Sequence, residues 1–506
     1  MAESARVLPE DIHNLELVGN VHPRDWVNPE PAARYNLVVI GAGTAGLIAA
    51  AGAVGLGAKV ALVERLWMGG DCLNVGCVPS KALVRAARAV AAVRDAGEFG
   101  VEVPAGVAVN FPAVMERMRR LRAGLSAVDS ARRYRDLGVD VFLGHARFAA
   151  PDAVEVEGKT LRFAKAVIAT GARAGHPDIP GLAEAGFFTN ETVFTLTELP
   201  PRLAVIGAGP VGCELAQAFA RFGATVTLLA NHGRILPRED PDAVAIVQEA
   251  LGRDGVRLWT GANVLGATQR DGNKVLQVER GGAREELAVD AILIGVGRAP
   301  NVDGMNLEAA GVQYDLKDGI HVDDRLRTTN RRIFAAGDCC SRYKFTHAAD
   351  AMARLVIRNA LFLGRGRASA LVIPWCTYTD PEIAHVGLYE HEVAEHGIAV
   401  QTFTQPLGHV DRAVLDGDTE GFVKVHVHAG RDRIVGATVV APHAGEMISE
   451  ITLAMAGRMG LGKIADVIHP YPTQAEAVKK VGDAYNRTRL TALVKWLSNK
   501  WLAWCR

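Results

Sequence analysis

Residues 35–46 read YNLVVIGAGTAG. Tyr35-Asn-Leu-Val-Val-Ile40 is a short apolar run of the kind that forms a buried parallel strand. Gly41-Ala-Gly43-Thr-Ala-Gly46 follows at once and leads into an Ala-rich helical stretch. Glycines at these spacings permit a tight turn and close backbone approach, so that a pyrophosphate can rest on the helix N-terminus. Ala58-Lys-Val-Ala-Leu-Val63 supplies the next strand. Glu64 at its end stands where a carboxylate accepts hydrogen bonds from an adenosine ribose. Together these make one βαβ unit of about 30 residues. Leu37 to Ala58 carries no charge and is long enough to span a bilayer. Its glycines, however, fit a buried strand, a turn and a helix.

A second copy follows. Leu203-Ala-Val-Ile206 leads into Gly207-Ala-Gly209-Pro-Val-Gly212, a helix through Phe222, and the strand Ala224-Thr-Val-Thr-Leu-Leu229. Two such units predict an α/β fold with two doubly wound, Rossmann-type nucleotide-binding domains. The second strand of this copy runs into Ala230-Asn231-His232, with no acid where Glu64 stands in the first. An acid there would repel the 2′-phosphate of NADP, so the site leans towards NADPH, with NADH possible. Arg234 is a nearby cation for that phosphate. From about residue 370 the pattern changes to alternating strands, such as Gly421-Phe-Val-Lys-Val-His-Val-His428 and Arg433-Ile-Val-Gly-Ala-Thr-Val-Val440, with a helical stretch near 445–460. That predicts a C-terminal α+β domain.

The 506 residues suffice for about three domains. Lys+Arg and Asp+Glu both total 56, so the global basic excess of a nucleic-acid binder is missing. With 49% hydrophobic and 22% charged residues the chain is not mainly disordered. Its start, MAESARVLPEDIH, lacks the basic-then-apolar pattern of a signal peptide. Seven scattered cysteines then favour a reducing compartment, and the expected location is the cytoplasm.

Between the two units lies Gly69-Gly-Asp-Cys72-Leu-Asn-Val-Gly-Cys77-Val-Pro-Ser-Lys81. The cysteine spacing allows a metal half-site, but no CxxC or HxxxH partner occurs elsewhere. A structural disulfide would close a small loop and constrain the unfolded chain little. A redox pair fits better. Cys77 precedes a helical stretch whose dipole should lower a thiol pKa, and Gly76 would leave room for a flat ring.

GGDCLNVGCVPSKAL resembles the active-site segment of the FAD-dependent pyridine nucleotide–disulfide oxidoreductases, a family that includes dihydrolipoamide dehydrogenase, glutathione reductase and mercuric reductase. Val167-Ile-Ala-Thr-Gly171, Gly295-Val-Gly297-Arg-Ala-Pro-Asn301 and Ile333-Phe-Ala-Ala-Gly-Asp338 match further family motifs, and the similarity runs from about residue 35 to 480. The first 34 residues are polar and read as an extended arm. The resemblance implies an FAD-binding domain (35–180, returning at 301–368), an NAD(P)-binding domain (181–300) and a dimerisation domain (369–485), in a homodimer. It implies that Gly41, Gly43, Gly46, Glu64, Gly171 and Asp338 bind FAD, with Asp338 on the ribityl chain. Gly207, Gly209, Gly212, Arg234 and Gly297 would serve the nicotinamide nucleotide. Cys77 would pack against the flavin and Cys72 would be the interchange thiol. Lys81 would sit near flavin N5, paired with Glu214. Electrons would run from NAD(P)H to FAD to the Cys72–Cys77 disulfide.

A departure lies in His469-Pro-Tyr471-Pro-Thr-Gln-Ala-Glu476. Disulfide reductases of the family have His immediately before Pro-Thr; it comes from the partner subunit and protonates the leaving thiolate. Here Tyr471 holds that position, while Glu476 keeps the place of the acid that orients the His. A Tyr pKa of about 10 suits proton shuttling poorly at pH 7. His469, two residues earlier, is a candidate substitute base. The mercuric reductase branch also has Tyr there, and a soft metal ion held by thiolates needs no proton on a leaving sulfur. The expected acceptor is therefore a soft metal ion, bound transiently by Cys72 and Cys77. Dihydrolipoyl dehydrogenase-like disulfide chemistry is the alternative, and a redox sensor or membrane-associated flavoprotein the third reading. Unlike that branch, this chain has only Cys505 near its C-terminus rather than a vicinal cysteine pair, and it lacks an N-terminal GMTCxxC domain. Cys339-Cys340 reads as buried structure.

Residues 486–506 form a basic, Trp-rich tail. Leu490, Leu493, Val494, Leu497, Trp501 and Trp504 recur at helical spacing among Arg487, Arg489, Lys495, Lys500 and Arg506. Such a stripe fits docking on the protein's own surface or dimer partner, or peripheral membrane contact.

Overall fold

The computed structural model describes residues 7–506. Two compact units result, one of the chain up to Asn231 with Val256–Leu371, the other of His232–Gly255 with Val372–Arg506.

The first unit begins with helix α1 (Ile12–Val21), capped by Asp11, whose carboxylate accepts the Asn14 amide hydrogen bond at 2.8 Å. The arm is thus not wholly extended. Its polar look conceals Leu17, Val18 and Val21, which bury one face of a short helix. The strands β1 (Tyr35–Ile40), β2 (Val60–Glu64), β3 (Asp140–Leu143), β4 (Arg147–Ala150), β5 (Ala153–Val156) and β6 (Lys159–Ile168) form a sheet in the order β3-β2-β1-β6-β5-β4, and Ile333–Ala335 adds to β6. β1 pairs in parallel with both β2 and β6. Leu37 and Val39 face a cluster containing Ala49, Ala50 and Ala53, whereas Val38 and Ile40 face Phe142, Phe148 and Phe163. Burial on both faces explains the unbroken apolar run, with each large side chain stabilising by about 1.5–3 kcal/mol.

Helix α2 (Thr44–Gly55) follows the glycine turn. Gly41 has φ +101°, and a Cβ on Gly46 would lie 1.8 Å from the Gly41 carbonyl oxygen, so both must be glycine. Helices α3 (Gly70–Asn74), α4 (Cys77–Arg94) and α5 (Phe111–Ser126) come next. Buried Arg122 of α5 donates to Asn14 Oδ1 and to the Asn74 carbonyl, both at 2.7 Å. The arm helix is thereby tied to the turn between the two cysteines.

The second glycine motif follows the strand Arg202–Ile206, which lies in a four-stranded parallel sheet with Thr225–Ala230, Arg257–Thr260 and Ala291–Ile294. An antiparallel sheet of Ala262–Arg270, Asn273–Arg280 and Ala283–Val289 adjoins it in sequence.

The other unit is built on a five-stranded antiparallel sheet, whose strands Phe422–His428 and Ile434–Ala441 are almost wholly buried. Helices Ala444–Ala456 and Glu476–Thr488 contribute to its core. The helix Pro241–Arg253 belongs to this unit, and Lys424 Nζ pairs with Asp240 at 2.9 Å and Asp242 at 2.6 Å. Glu239 accepts hydrogen bonds from Tyr389 Oη and Trp375 Nε1. The tail forms the helix Ala492–Trp504, in which no residue is buried. No helix among the described residues is long and apolar enough to cross a membrane; Leu37–Ala58 is β1, its turn, α2 and the residues just after it.

Candidate redox site

Cys72 lies in α3, and Cys77 is the first residue of α4, after Gly76. Both are free thiols. Cys77 is pulled down to about 6, first by the hydrogen bond from the Cys72 thiol, then by Thr346 and the Lys81 charge. Cys72 is pushed up by that same bond and by burial. The pair is thus poised with Cys77 as thiolate and Cys72 as the protonated partner. Thr346 Oγ1 lies 3.4 Å from Cys77 Sγ. This contact could not be read from the sequence, where Thr346 is one hydroxyl opening a distant helix. Gly76 also has a local reason to be glycine, since a Cβ there would lie 2.8 Å from the Asp71 carbonyl oxygen.

Lys81, one helical turn after Cys77, places Nζ 2.7 Å from Glu214 Oε2. Glu214 sits in the helix Pro210–Arg221 that follows the second glycine turn, and its side chain is buried. One ion pair therefore joins the cysteine helix to the second nucleotide motif.

Arg298, an isolated cation in the Gly297–Asn301 stretch, donates to Asp71 and to the Ala172 carbonyl. Its Nε lies 3.5 Å from Asp338 Oδ2. Burial opposes its charge, but the Asp71 and Asp338 carboxylates outweigh that and raise its pKa. Asp338 itself is raised by burial, which Arg298 and Lys344 counter.

The residues present fit a dinucleotide at the first motif. A cleft is lined by Gly41, Glu64, Arg65, His145, Thr170 and Asn301. Glu64 accepts from the Ala42 amide at 2.7 Å and the Leu66 amide at 2.8 Å. These bonds hold the carboxylate in place and leave lone pairs for a ribose. Burial raises the Glu64 pKa against those donors. Gly43 caps α2, and a Cβ there would meet only Gly70, at 3.7 Å, so the helix N-terminus is open to phosphate. Gly171, at φ +67°, takes the Asn301 amide on its carbonyl, and Cys77 presents an exposed side chain.

At the second motif Gly207 has φ +107°, a Cβ on Gly212 would lie 1.9 Å from the Gly207 carbonyl oxygen, and the Gly209 Cβ direction is open. Gly297 is likewise left-handed, at φ +118°. Arg234 belongs to the other compact unit and donates to the Pro237 carbonyl at 2.7 Å.

In the second unit Tyr471 is 71% exposed and its hydroxyl donates to Asp411 at 2.9 Å, which raises the phenol pKa further. Glu476 lies 3.7 Å from Lys480. His469 is engaged at both nitrogens, with Glu450 at 2.9 Å and the Val467 carbonyl at 3.1 Å, and its side chain is only 6% exposed. Cys213 and Cys339 are buried, Cys340 and Cys376 half-buried. No group of three or more metal-ligating side chains occurs among the described residues.

A dithiol poised beside a lysine–glutamate pair, in a chain with two nucleotide-binding turns, defines a dithiol–disulfide oxidoreductase. Residues 35–353 match the model of the pyridine nucleotide-disulphide oxidoreductases, and residues 373–481 that of their dimerisation domain. The chain belongs to this FAD-dependent, NAD(P)H-linked family, and the dimerisation domain supports a homodimer. It is 34% identical to a mercuric reductase of Staphylococcus aureus, over 88% of this chain and 81% of that one. It is also 34% identical to a dihydrolipoyl dehydrogenase of Thermus scotoductus, over 91% and 99%. A solved Cu(II) complex of the HOCl-induced flavoprotein disulfide reductase RclA from Escherichia coli superposes with TM-score 0.79 at 29% identity, over 88% of this chain and 98% of that one.

Proposed function

We propose that this enzyme passes electrons from NADPH through Cys72 and Cys77 to a thiolate-bound metal ion, in the manner of a mercuric reductase. The observation that carries this reading is Tyr471. Its hydroxyl is held by Asp411, and a phenol pushed above its usual range is a poor proton donor near neutrality. His469 is committed to Glu450 and offers no ready substitute. Reduction of a disulfide needs a proton on the leaving sulfur, whereas a metal ion on thiolates does not. The mercuric reductase names among the relatives and the Cu(II) complex of a structural neighbour support the same acceptor class.

Bound FAD supplies the two-electron relay between nicotinamide and the cysteines. Within the chain, Cys72 is the thiol that meets the acceptor and Cys77 the thiolate held ready behind it. Lys81, fixed by Glu214, supplies a positive charge beside the site. In the balanced reaction NADPH and Hg(II) give NADP⁺, Hg(0) and a proton.

The test is NADPH oxidation with Hg(II) held as a thiol complex, with lipoamide and glutathione disulfide as parallel acceptors. Rapid metal-dependent turnover that disappears in Cys72→Ser is expected. Slow turnover with Hg(II) beside rapid turnover with a disulfide would replace this reading by a dihydrolipoyl dehydrogenase-like one.

A further inference from the structure

The C-terminal helix is an interaction surface that the redox chemistry leaves unused. Thr491 caps it, its side chain accepting from the Val494 amide. Leu493, Leu497, Trp501 and Trp504 then fall on one stripe at helical spacing. They are 65%, 52%, 61% and 77% exposed, and the Trp501 and Trp504 rings touch at 5.1 Å. Ser498, Lys495 and Asn499 lie on the opposite side of the helical wheel, with Leu502 among them, and Trp496 adds a further exposed ring at its flank. Leaving this much aromatic and aliphatic surface in water is costly, at about 25 cal/mol per Å².

Charge selects the occupant. After Asp483 the chain has no acid, while Arg487, Arg489, Lys495, Lys500 and Arg506 are all basic, in a protein whose formal charge is zero. Pairing this helix with its copy in a second chain would bring like charges together. The helix also lies beyond the matched dimerisation domain, which ends at residue 481. An anionic bilayer satisfies both halves of the pattern, because tryptophans settle at the headgroup level and lysines reach up to lipid phosphates. Thirteen residues, about 20 Å of helix, suit lying in the plane of the interface and are too few to cross it.

We infer that the helix Ala492–Trp504 is an interfacial anchor that docks this protein peripherally on anionic lipid membranes. The test uses the full-length holoenzyme with phosphatidylcholine vesicles, with and without phosphatidylglycerol, read by co-sedimentation and by the tryptophan emission maximum. Binding is expected only with phosphatidylglycerol, with a blue shift of the emission and release at high salt. Lys495→Gln with Lys500→Gln should weaken partitioning about twenty-fivefold, roughly fivefold per cation lost. Trp501→Ser with Trp504→Ser should remove it, with FAD content and NADPH oxidation unchanged. A chain ending at Leu490 that binds vesicles as well as the full chain overturns the inference. So does full-length protein that stays in solution with phosphatidylglycerol vesicles, or a tail deletion that changes only the oligomeric state, which would make a second copy the occupant.

Discussion

Lys81 Nζ stands 2.7 Å from Glu214 Oε2, and the two residues pull on Cys77 in opposite directions: the lysine lowers its pKa and the glutamate raises it. Lys81→Met should therefore shift the alkylation profile of Cys77 in the reduced enzyme to higher pH, and Glu214→Gln should shift it lower. Rates of iodoacetamide labelling across a pH series, located by peptide mapping, check this. Shifts of the same sign in both variants would contradict the opposed pulls.

The hydrogen bond from Cys72 is the largest influence holding Cys77 near 6. Serine keeps a donor at that position and alanine does not. Cys72→Ser should retain FAD and leave Cys77 a thiolate at neutral pH, altering the visible flavin spectrum. In Cys72→Ala the alteration should need a higher pH to develop. Since thiolate forms as pH rises through the Cys77 pKa, the alteration should fade on acidification below about 6 in the serine variant. A flavin spectrum indifferent to pH in both variants would remove Cys77 from the place against the flavin proposed for it.

Much of this site was legible in the sequence because its parts are local. A glycine turn needs glycines at fixed spacing, and Gly41, Gly46, Gly207 and Gly212 are forced by backbone contacts within a few residues or across one strand pair. The cysteine turn is read the same way. Thr346 and Arg298 were not legible, because they reach Cys77 and Asp71 across 269 and 227 residues of chain. A hydroxyl or a cation carries no periodicity that announces a distant partner. The helix Ile12–Val21 was missed for a related reason. Its buried face is short, and what fixes it is buried Arg122, reaching back from α5.

Arg298 joins Asp71, next to Cys72, to Asp338, the residue proposed to hold the flavin's ribityl chain. Arg298→Met would leave the Asp71 and Asp338 carboxylates without the cation they share, and stability should fall. Weaker FAD retention on dilution and a lowered melting temperature are expected. Adding Asp71→Asn should restore much of both. Thermal unfolding followed by flavin fluorescence reads the pair, and no rescue by the second substitution would mean that Asp71 and Arg298 are not coupled.

In the C-terminal unit Lys424 is raised above its ordinary 10.5, because its Asp240 and Asp242 partners outweigh burial. A raised cation stabilises fully below its unfolded pKa, and the contribution is lost as pH climbs through the folded one. Lys424→Met should cost about 3 kcal/mol at pH 7, because Asp240 is left buried without its cation. The difference from wild type should shrink above about pH 10.5. Urea unfolding at neutral and alkaline pH measures both, and a difference constant with pH would show that the ion pair is not what holds the Asp240 segment to Lys424.

On the proposed reading, Tyr471 decides which acceptor the enzyme can use. Its phenol is exposed and bonded to Asp411, so it has room to be exchanged without disturbing a core. Tyr471→His would install an imidazole that titrates near neutrality where the family's disulfide reductases carry one. General acid catalysis contributes about 10²–10⁴-fold. Lipoamide or glutathione disulfide reduction should therefore rise by about 10²-fold in Tyr471→His, while Hg(II) reduction stays level or falls. Tyr471→Phe should leave disulfide turnover as slow as in the parent, since the tyrosine supplies no proton to lose. If Tyr471→Phe instead abolishes rapid disulfide turnover in the wild type, the phenol is itself the acid and the preference for a metal acceptor falls with it.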